Sequence, residues 1–210
     1  LRLKSPKSVV SKVGGNGMEG AGLDPVTIEV IQNTLISFIR EMRVTIIRTA
    51  FTPIIWEVHD FSCGLLAPDG DLVALSEDNP VHIVPTMYCV PAVRERFGDA
   101  IAHGDIFIIN DPYRLGAHMN DVAHLYPFFV QEQLMFWIVV RVHYTDIGGM
   151  AAGSMTPDAR EVYQEGVFLP PIKVYDRGKA NNGFLDMFFA NVRLPEERRA
   201  LSIPTHVAFE

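Results

Sequence analysis

Cysteine is scarce in this sequence: Cys63 and Cys89 are the only two among 210 residues. Two cysteines cannot build the disulfide framework of a small secreted domain, and neither belongs to a close Cys-x-x-Cys or Cys-x-x-His pair that would hold a structural zinc. Both stand among apolar neighbours, which is typical of a buried thiol rather than a nucleophile. A cytoplasmic location is therefore expected.

Long hydrophobic runs and an excess of positive charge are also missing. No apolar stretch approaches the roughly 20 residues that cross a bilayer. The longest, Gln133 to Val142, is interrupted by Arg141 and has the length of a strand. The formal net charge of -7 offers no counter-charge for a phosphate backbone or an anionic lipid surface. Neither nucleic acid nor membrane is expected as a partner.

Nucleotide-binding fingerprints are absent as well. Gly14-Gly-Asn-Gly17 is rich in glycine, but no apolar strand precedes it and no Gly-Lys-Ser/Thr follows. No repeat of fixed period is visible, which excludes solenoids and propellers. We therefore assign no cofactor-binding residues for a nucleotide.

Enough apolar side chains are present for a substantial core, since 48% of the residues are hydrophobic and 20% are charged. Residues 1–23 carry lysine, serine and glycine without a hydrophobic segment, so we expect a flexible leader rather than a signal peptide. Residues 24–200 are expected to form one domain, and residues 201–210 a weakly structured tail.

A long amphipathic helix is predicted from Asp24 to about Thr49. Aspartate is a favoured capping residue, and Pro25 suits the first helical position. Apolar residues then recur at intervals of three and four: Ile28, Ile31, Leu35, Phe38, Met42 and Ile46. This spacing places them on one face, which should contact the core or a partner.

Short β-segments follow Phe51. Residues 61–66 and 72–75 flank Ala67-Pro-Asp-Gly70, a turn sequence whose glycine supplies a positive φ, so a hairpin is predicted. Further elements are expected as a helix at 85–97 with Pro91 as a boundary or kink, a strand at 105–109, and helices at 183–191 and 195–200. The fold class is thus α+β: a long N-terminal amphipathic helix followed by mixed, mainly antiparallel β-hairpins with short helices. The region after Gly149 is otherwise expected to be rich in loops.

A second predicted hairpin, formed by residues 123–130 and 134–142, brings three side chains together. Asp121 precedes its first strand and His143 follows its second, so antiparallel pairing joins those two ends. His118, three residues before Asp121, can point the same way in a helical turn or a tight loop. Taken singly, each histidine also fits an ordinary surface or core imidazole.

Two imidazoles and one carboxylate suit a divalent ion such as zinc or manganese. Three protein ligands leave a position open for water or substrate, as catalytic sites require. Gly116 and Gly148-Gly149 mark bends near these residues where backbone approaches closely. His118, Asp121 and His143 are therefore the predicted metal ligands.

A set of motifs keeps one order from about residue 24 to 199: Asp24-Pro-Val-Thr-Ile-Glu-Val-Ile31, Arg48-Thr-Ala50, Asp60-Phe-Ser62, Pro80-Val-His82, Gly104-Asp-Ile-Phe-Ile-Ile-Asn-Asp-Pro-Tyr113, His118-Met-Asn-Asp-Val122, His143-Tyr-Thr-Asp-Ile-Gly-Gly149, Ala152-Gly-Ser-Met155, Glu165-Gly166, Asn191-Val-Arg193 and Pro195-Glu-Glu-Arg198. Together they resemble the B-type subunit of the hydantoinase B, 5-oxoprolinase and acetone carboxylase alpha family. Members of that family are considerably longer, so residues 24–200 look like the N-terminal part of a subunit.

The resemblance implies a subunit of a hetero-oligomer that works beside an A-type subunit, which binds ATP. In such enzymes ATP activates a carbonyl group, either the amide oxygen of a cyclic substrate or a ketone as its enol. In the ketone carboxylase branch, residues matching His118, Asp121 and His143 hold the metal. The lack of a phosphate-binding loop here fits this division of labour.

Other polar residues are candidates for supporting roles. A divalent ion would lower the pKa of bound water or polarise an acyl oxygen. Asp111 and Asp146 lie close in sequence to the ligands and could orient imidazoles, or could be turn-forming carboxylates that bond local amides. Asp60, His82 and Glu165 are weaker candidates for acid-base work or substrate contact.

Three functional hypotheses compete. The preferred one is the metal-bearing subunit of an ATP-coupled hydrolase that opens a small cyclic amide, such as a hydantoin, 5-oxoproline or another lactam. A subunit of an ATP-dependent carboxylase for a ketone of the acetone or acetophenone type is the enzyme alternative, because the same scaffold serves both. A non-catalytic scaffold whose long helix recruits a partner is the alternative of another class.

Overall fold

One antiparallel sheet organises residues 24–194, the part of the chain that the computed structural model describes. Its strands are β1 Phe61–Leu66, β2 Leu72–Leu75, β3 Ile106–Ile109, β4 Asp121–Val130, β5 Gln133–His143, β6 Ile172–Asp176 and β7 Lys179–Ala180. They lie in the order β2-β1-β5-β4-β3-β6-β7, and every neighbouring pair is antiparallel. The expected hairpins are thus parts of a single sheet.

Five α-helices accompany the sheet in the described region: α1 Pro25–Thr49, α2 Pro53–Trp56, α3 Ile83–Phe97, α4 Pro112–Leu115 and α5 Asn182–Ala190. The Asp24 carboxylate accepts hydrogen bonds from the amides of Val26 and Thr27, which caps α1 where the sequence predicts its start. Pro91 lies inside α3 and does not end it. Among the residues described, none of the helices has both the length and the apolar character needed to span a bilayer.

The apolar stripe predicted on α1 is only partly buried. Ile39 and Ile46 are buried, and Leu35 and Met42 pack beside them against β1 and β5. Phe38 of the same stripe is 52% exposed, and Ile31 is exposed as well. The N-terminal half of the helix therefore has little protein to cover it among residues 24–194, while the C-terminal half lies on the sheet.

The two faces of the sheet carry separate parts of the core. One face packs against α3, where Val90 and Val93 contact Phe107, Leu125 and Trp137. The opposite face is covered by α1 over β1 and β5, and by α5 with the loops that precede β6. Alternation along each strand decides which side chain faces which layer, because successive residues point to opposite faces.

Strands β6 and β7 were not predicted, since residues after Gly149 were expected to form mainly loops. Arg177 and Gly178 both have positive φ and form the tight turn between these two strands. Strand β6 pairs with β3, more than 60 residues earlier in the chain. Strand β6 has only five residues, so its sequence shows no periodic pattern that would have predicted it. The helix predicted at 195–200, the leader 1–23 and the tail 201–210 lie outside the described residues, so these expectations stay predictions.

Candidate metal centre

The register of the β4–β5 hairpin brings two of the predicted ligands side by side. Asp121 and His143 are directly paired, as the first residue of β4 and the last residue of β5. They therefore belong to the strands rather than flanking them as predicted. His143 Nδ1 lies 3.3 Å from Asp121 Oδ1. The hairpin thus holds an imidazole and a carboxylate at one sheet edge on rigid backbone.

His118 completes the cluster from the loop before β4. Its Nδ1 lies 3.1 Å from Asp121 Oδ2, and its Nε2 lies 3.0 Å from His143 Nδ1. With one donor atom taken from each residue, the three atoms all lie within 4.8 Å of one another. The His118 side chain is 41% exposed while Asp121 is buried, so the cluster opens to solvent on the His118 side.

The Asp121 carboxylate is the buried centre of this cluster. Neither of its oxygens has a well-directed hydrogen-bond partner among the described residues, although imidazole nitrogens lie within 3.4 Å. Burial alone would raise the pKa of Asp121, but the contacts with His118, His143 and His82 outweigh it and lower the pKa strongly. The Asp121 carboxylate in turn raises the pKa of His118.

Two of the weaker candidates, Asp60 and His82, join the same cluster. His82 Nε2 lies 3.4 Å from Asp121 Oδ2 and 3.6 Å from Asp60 Oδ1. Asp60 Oδ2 lies 3.5 Å from His143 Nδ1. Asp60 ends the loop before β1, and His82 ends the 3-10 turn Pro80–His82 that leads into α3. The centre is therefore assembled at one end of the neighbouring strands β1, β5 and β4 and from the start of α3.

His82 lies between a serine hydroxyl and two carboxylates. Ser62 Oγ donates to the Asn79 carbonyl and lies 3.0 Å from His82 Nδ1. His82 Nε2 lies within 3.6 Å of carboxylate oxygens of both Asp60 and Asp121. Carboxylates that converge in this way repel one another unless a proton or a cation lies between them.

A divalent cation fits this set of donors. Zinc binds imidazole nitrogen at about 2.0–2.1 Å and carboxylate oxygen at about 2.0–2.2 Å. Two ligands of one such ion are therefore separated by roughly 3.0 to 3.5 Å, and the His143–Asp121 and His118–Asp121 contacts have this spacing. A cation would also satisfy the partnerless oxygens of Asp121. The chemistry of the donors, two imidazoles and a carboxylate, suits zinc or manganese.

Several supporting residues were not predicted from the sequence. Asn79 Nδ2 donates to Asp60 Oδ1 at 2.6 Å, and Ser62 fixes the ring of His82. Arg141 is buried, and its Nη1 donates to the main-chain carbonyl of Asp121. A charged residue in the middle of an apolar strand was the available signal for Arg141. Nothing local marked Asn79, because its role depends on a residue 19 positions earlier.

Asp111 and Asp146 bond to local groups rather than to the imidazoles. Asp111 caps α4 by accepting from the amides of Tyr113 and Arg114. Asp146 accepts from the amides of Gly148 and Gly153 and from Arg193. Burial would raise the pKa of Asp146, but these hydrogen bonds lower it. The turn-forming alternative accounts for the contacts of both residues.

Glu165 follows the 3-10 turn Val162–Gln164 and lies in the loop that packs against Gly149. Within residues 24–194 no hydrogen bond or ion pair joins Glu165 to the cluster. The structure thus assembles Asp60, His82, His118, Asp121 and His143, and it leaves Asp111, Asp146 and Glu165 outside the cluster.

The fold and this centre define the class of protein. It is an α+β domain with one antiparallel sheet and a cluster of histidine and aspartate at the end of a central hairpin. The chain belongs to the Hydantoinase B/oxoprolinase family, whose model matches residues 24–200. The resemblance inferred from the ordered motifs is confirmed.

Two proteins with similar sequences come from a bacterium and a eukaryote. Caprolactamase subunit beta of Pseudomonas jessenii is 34% identical over 174 residues, which are 81% of this chain and 29% of that protein. The 5-oxoprolinase of Dictyostelium discoideum is 32% identical over 156 residues, which are 74% of this chain and 12% of that protein.

Solved structures agree with these relatives. The crystal structure of ATP-dependent caprolactamase from Pseudomonas jessenii superposes with a TM-score of 0.82 and 30% identity, covering 90% of this chain and 33% of that one. The nucleotide-free structure of acetone carboxylase gives a TM-score of 0.72 over 86% of this chain and 25% of that one. At 21% identity the latter likeness shows the fold alone. The chain spans about a third or less of the length of these proteins.

Proposed function

We propose that this chain supplies the metal-bearing part of the B-type subunit of an ATP-coupled hydrolase that opens cyclic amides. The observation that supports the proposal is the convergence of His118 and His143 on the buried carboxylate of Asp121, which has no hydrogen-bond partner among residues 24–194. The names of two relatives, caprolactamase and 5-oxoprolinase, support a cyclic amide as substrate. ATP would be bound by an A-type partner subunit.

In this proposal His118, Asp121 and His143 hold the ion, zinc or manganese. When bound, a divalent ion supplies a Lewis acid that activates water or polarises the amide carbonyl. Asp60 would take a proton from an attacking water, a role that its partial exposure beside the cluster supports. Ser62 and Asn79 hold His82 and Asp60 in position for this step.

The first experiment is metal analysis of the purified chain. We expect near one equivalent of zinc or manganese, lost in His118→Ala and in His143→Ala, because each substitution removes one of three ligands. His103→Ala is the matched control, since His103 is exposed and outside the cluster. Retention of the metal by both cluster variants would contradict the proposal and would favour a scaffold.

The second experiment separates hydrolase from carboxylase. With an A-type partner, ATP turnover is measured with a lactam, a hydantoin or 5-oxoproline, and with acetone or acetophenone in the presence and absence of bicarbonate. We expect stimulation by a cyclic amide without bicarbonate. Background turnover with every cyclic amide, together with stimulation by a ketone plus bicarbonate, would establish the carboxylase instead.

A further inference from the structure

A polar cavity of about 380 Å³ shares Asp60 with the metal cluster. Its charged lining consists of Arg43 from α1 with Asp60, Glu77 and Asp78, and His59 and Asn79 add polar groups. Asp60 faces both spaces, because its Oδ2 lies 3.5 Å from His143 Nδ1. A molecule in this cavity would lie next to the candidate metal centre.

The charges around the cavity are mainly negative. Arg43 Nε donates to Asp78 Oδ1 at 2.5 Å, so Asp78 neutralises the one guanidinium. The carboxylates of Asp60 and Glu77 remain. The Asp78 side chain is only 1% exposed, and its Oδ2 has no hydrogen-bond partner among the described residues, so solvent screens its charge poorly. An anionic ligand would therefore be repelled.

The hydrogen-bonding groups of the cavity call for a ligand that both donates and accepts. Carboxylates such as Asp60 and Glu77 can only accept, so a ligand must offer an N–H or O–H group. Arg43 can only donate, and a carbonyl oxygen would suit it. A cyclic amide offers one N–H and one C=O on the same edge of its ring. A ketone of the same size lacks the donor and would leave an acceptor unpaired.

Backbone strain at the rim of the cavity agrees with a functional role. His59 has a φ of 58°, a left-handed conformation that costs energy for a residue other than glycine. Its ring nitrogen Nδ1 lies 3.5 Å from Arg43 Nη2. Strained residues of this kind cluster at ligand sites, where the surrounding structure holds them in place.

We propose that this cavity binds a neutral cyclic amide and discriminates against an anionic one. The inference rests on the proposed function and narrows its substrate class to uncharged lactams or hydantoins, with 5-oxoproline disfavoured. Arg43 donates to the ring carbonyl, and the ring N–H donates to one of the two carboxylates, Asp60 or Glu77.

Three ligands of one ring size test this directly on the zinc-loaded chain by NMR titration. They are 2-pyrrolidinone, 5-oxoproline, which is the same ring with a carboxylate, and cyclopentanone, which lacks the N–H. We expect 2-pyrrolidinone to bind at least about tenfold more tightly than either of the others. Repulsion by a nearby like charge weakens the binding of 5-oxoproline by about this factor, and one unpaired polar group does the same for cyclopentanone.

Two matched variants test whether the carboxylate of Glu77 causes the preference for the neutral ring over the anionic ring. Glu77→Gln removes one exposed carboxylate of the lining and should reduce the preference for 2-pyrrolidinone over 5-oxoproline by about threefold or more. Glu29→Gln makes the same change on α1, roughly 20 Å along the helix axis from Arg43, and should leave the preference unchanged.

The zinc content of each sample is measured alongside binding. Three results with a chain that holds one zinc would overturn the cavity assignment and leave the metal centre intact. They are equal binding of 2-pyrrolidinone and 5-oxoproline, tighter binding of the anionic 5-oxoproline, and no binding of any of the three rings. A chain that holds no zinc counts against the proposed function instead.

Discussion

At the scale of single residues, Asp121 is the centre of the candidate site. Its carboxylate is buried and has no hydrogen-bond partner in the described region, which is unfavourable in the absence of a compensating charge. Three imidazoles surround it, from His82, His118 and His143. A cation bound among these groups would supply such a charge.

His124 illustrates the opposite case, a histidine buried for structure. Its Nδ1 donates to the Val140 carbonyl, and its Nε2 accepts from the Tyr144 hydroxyl. Burial lowers the pKa of His124 from 6.5 to about 4, and the hydrogen bond to Val140 opposes this only in part. The imidazole is therefore neutral in the folded protein near pH 7.

A pH-dependent loss of stability follows from His124. Between pH 6.5 and about 4 the unfolded chain binds a proton at this residue and the folded chain does not, so its contribution is complete above pH 6.5 and is lost as the pH falls. The loss amounts to about 3 kcal/mol. The free energy of unfolding is measured with urea at pH 7 and at pH 4. Its decrease between these pH values should be smaller in His124→Gln than in the unmodified chain, by about 3 kcal/mol. Equal losses in the two proteins would contradict it.

At the scale of elements, the loop after β5 is fixed by close backbone approach. Gly149 has a φ of 86°, and a Cβ at this position would lie 2.6 Å from the Gln164 carbonyl oxygen. Asp146 holds the same loop through the amides of Gly148 and Gly153 and through Arg193. The loop starts directly after His143, so its packing helps to keep the end of β5 in place.

Substitution of Gly149 by alanine should therefore destabilise the fold by about 2 to 4 kcal/mol, because a positive φ and a steric clash add. Gly178→Ala is the matched control. Gly178 has a φ of 77° with nothing within 4 Å of the added Cβ, so only the conformational cost of about 1 kcal/mol applies. Both values come from urea denaturation. Equal effects of the two substitutions would exclude the close contact at Gly149 as a cause.

For the molecule as a whole, metal binding and folding should be linked. The proposed ligands come from a loop and from two strands, and the unfolded chain does not hold them together, so we expect an ion to bind the folded state preferentially. Zinc at 100 times its dissociation constant should add about 2.7 kcal/mol to the free energy of unfolding. Thermal unfolding with zinc and with a chelator measures this. His118→Ala should show no such difference, and a zinc-independent melting temperature of the unmodified chain would contradict the linkage.

Local patterns in the sequence predicted the elements that depend on local chemistry. The cap at Asp24, the hairpin around Ala67-Pro-Asp-Gly70 and the helix ending at Phe97 all appear with nearly the expected bounds. The sequence did not predict strand β6, because its partner β3 is distant in the chain. Helical spacing predicted the apolar stripe of α1 but not which part of it lies on the sheet, because spacing does not show which turns of a helix have a neighbouring layer.

The sequence by itself determined the class of fold and the hairpin that joins Asp121 to His143, because capping, turn chemistry and strand alternation act over a few residues. The ordered motifs determined the family. Only the tertiary structure decided that Asp60 and His82 join the cluster and that Asp111, Asp146 and Glu165 do not. Those positions depend on how β1 and the start of α3 lie against the β4–β5 hairpin. Such packing is set by the whole core, and no short stretch of sequence carries it.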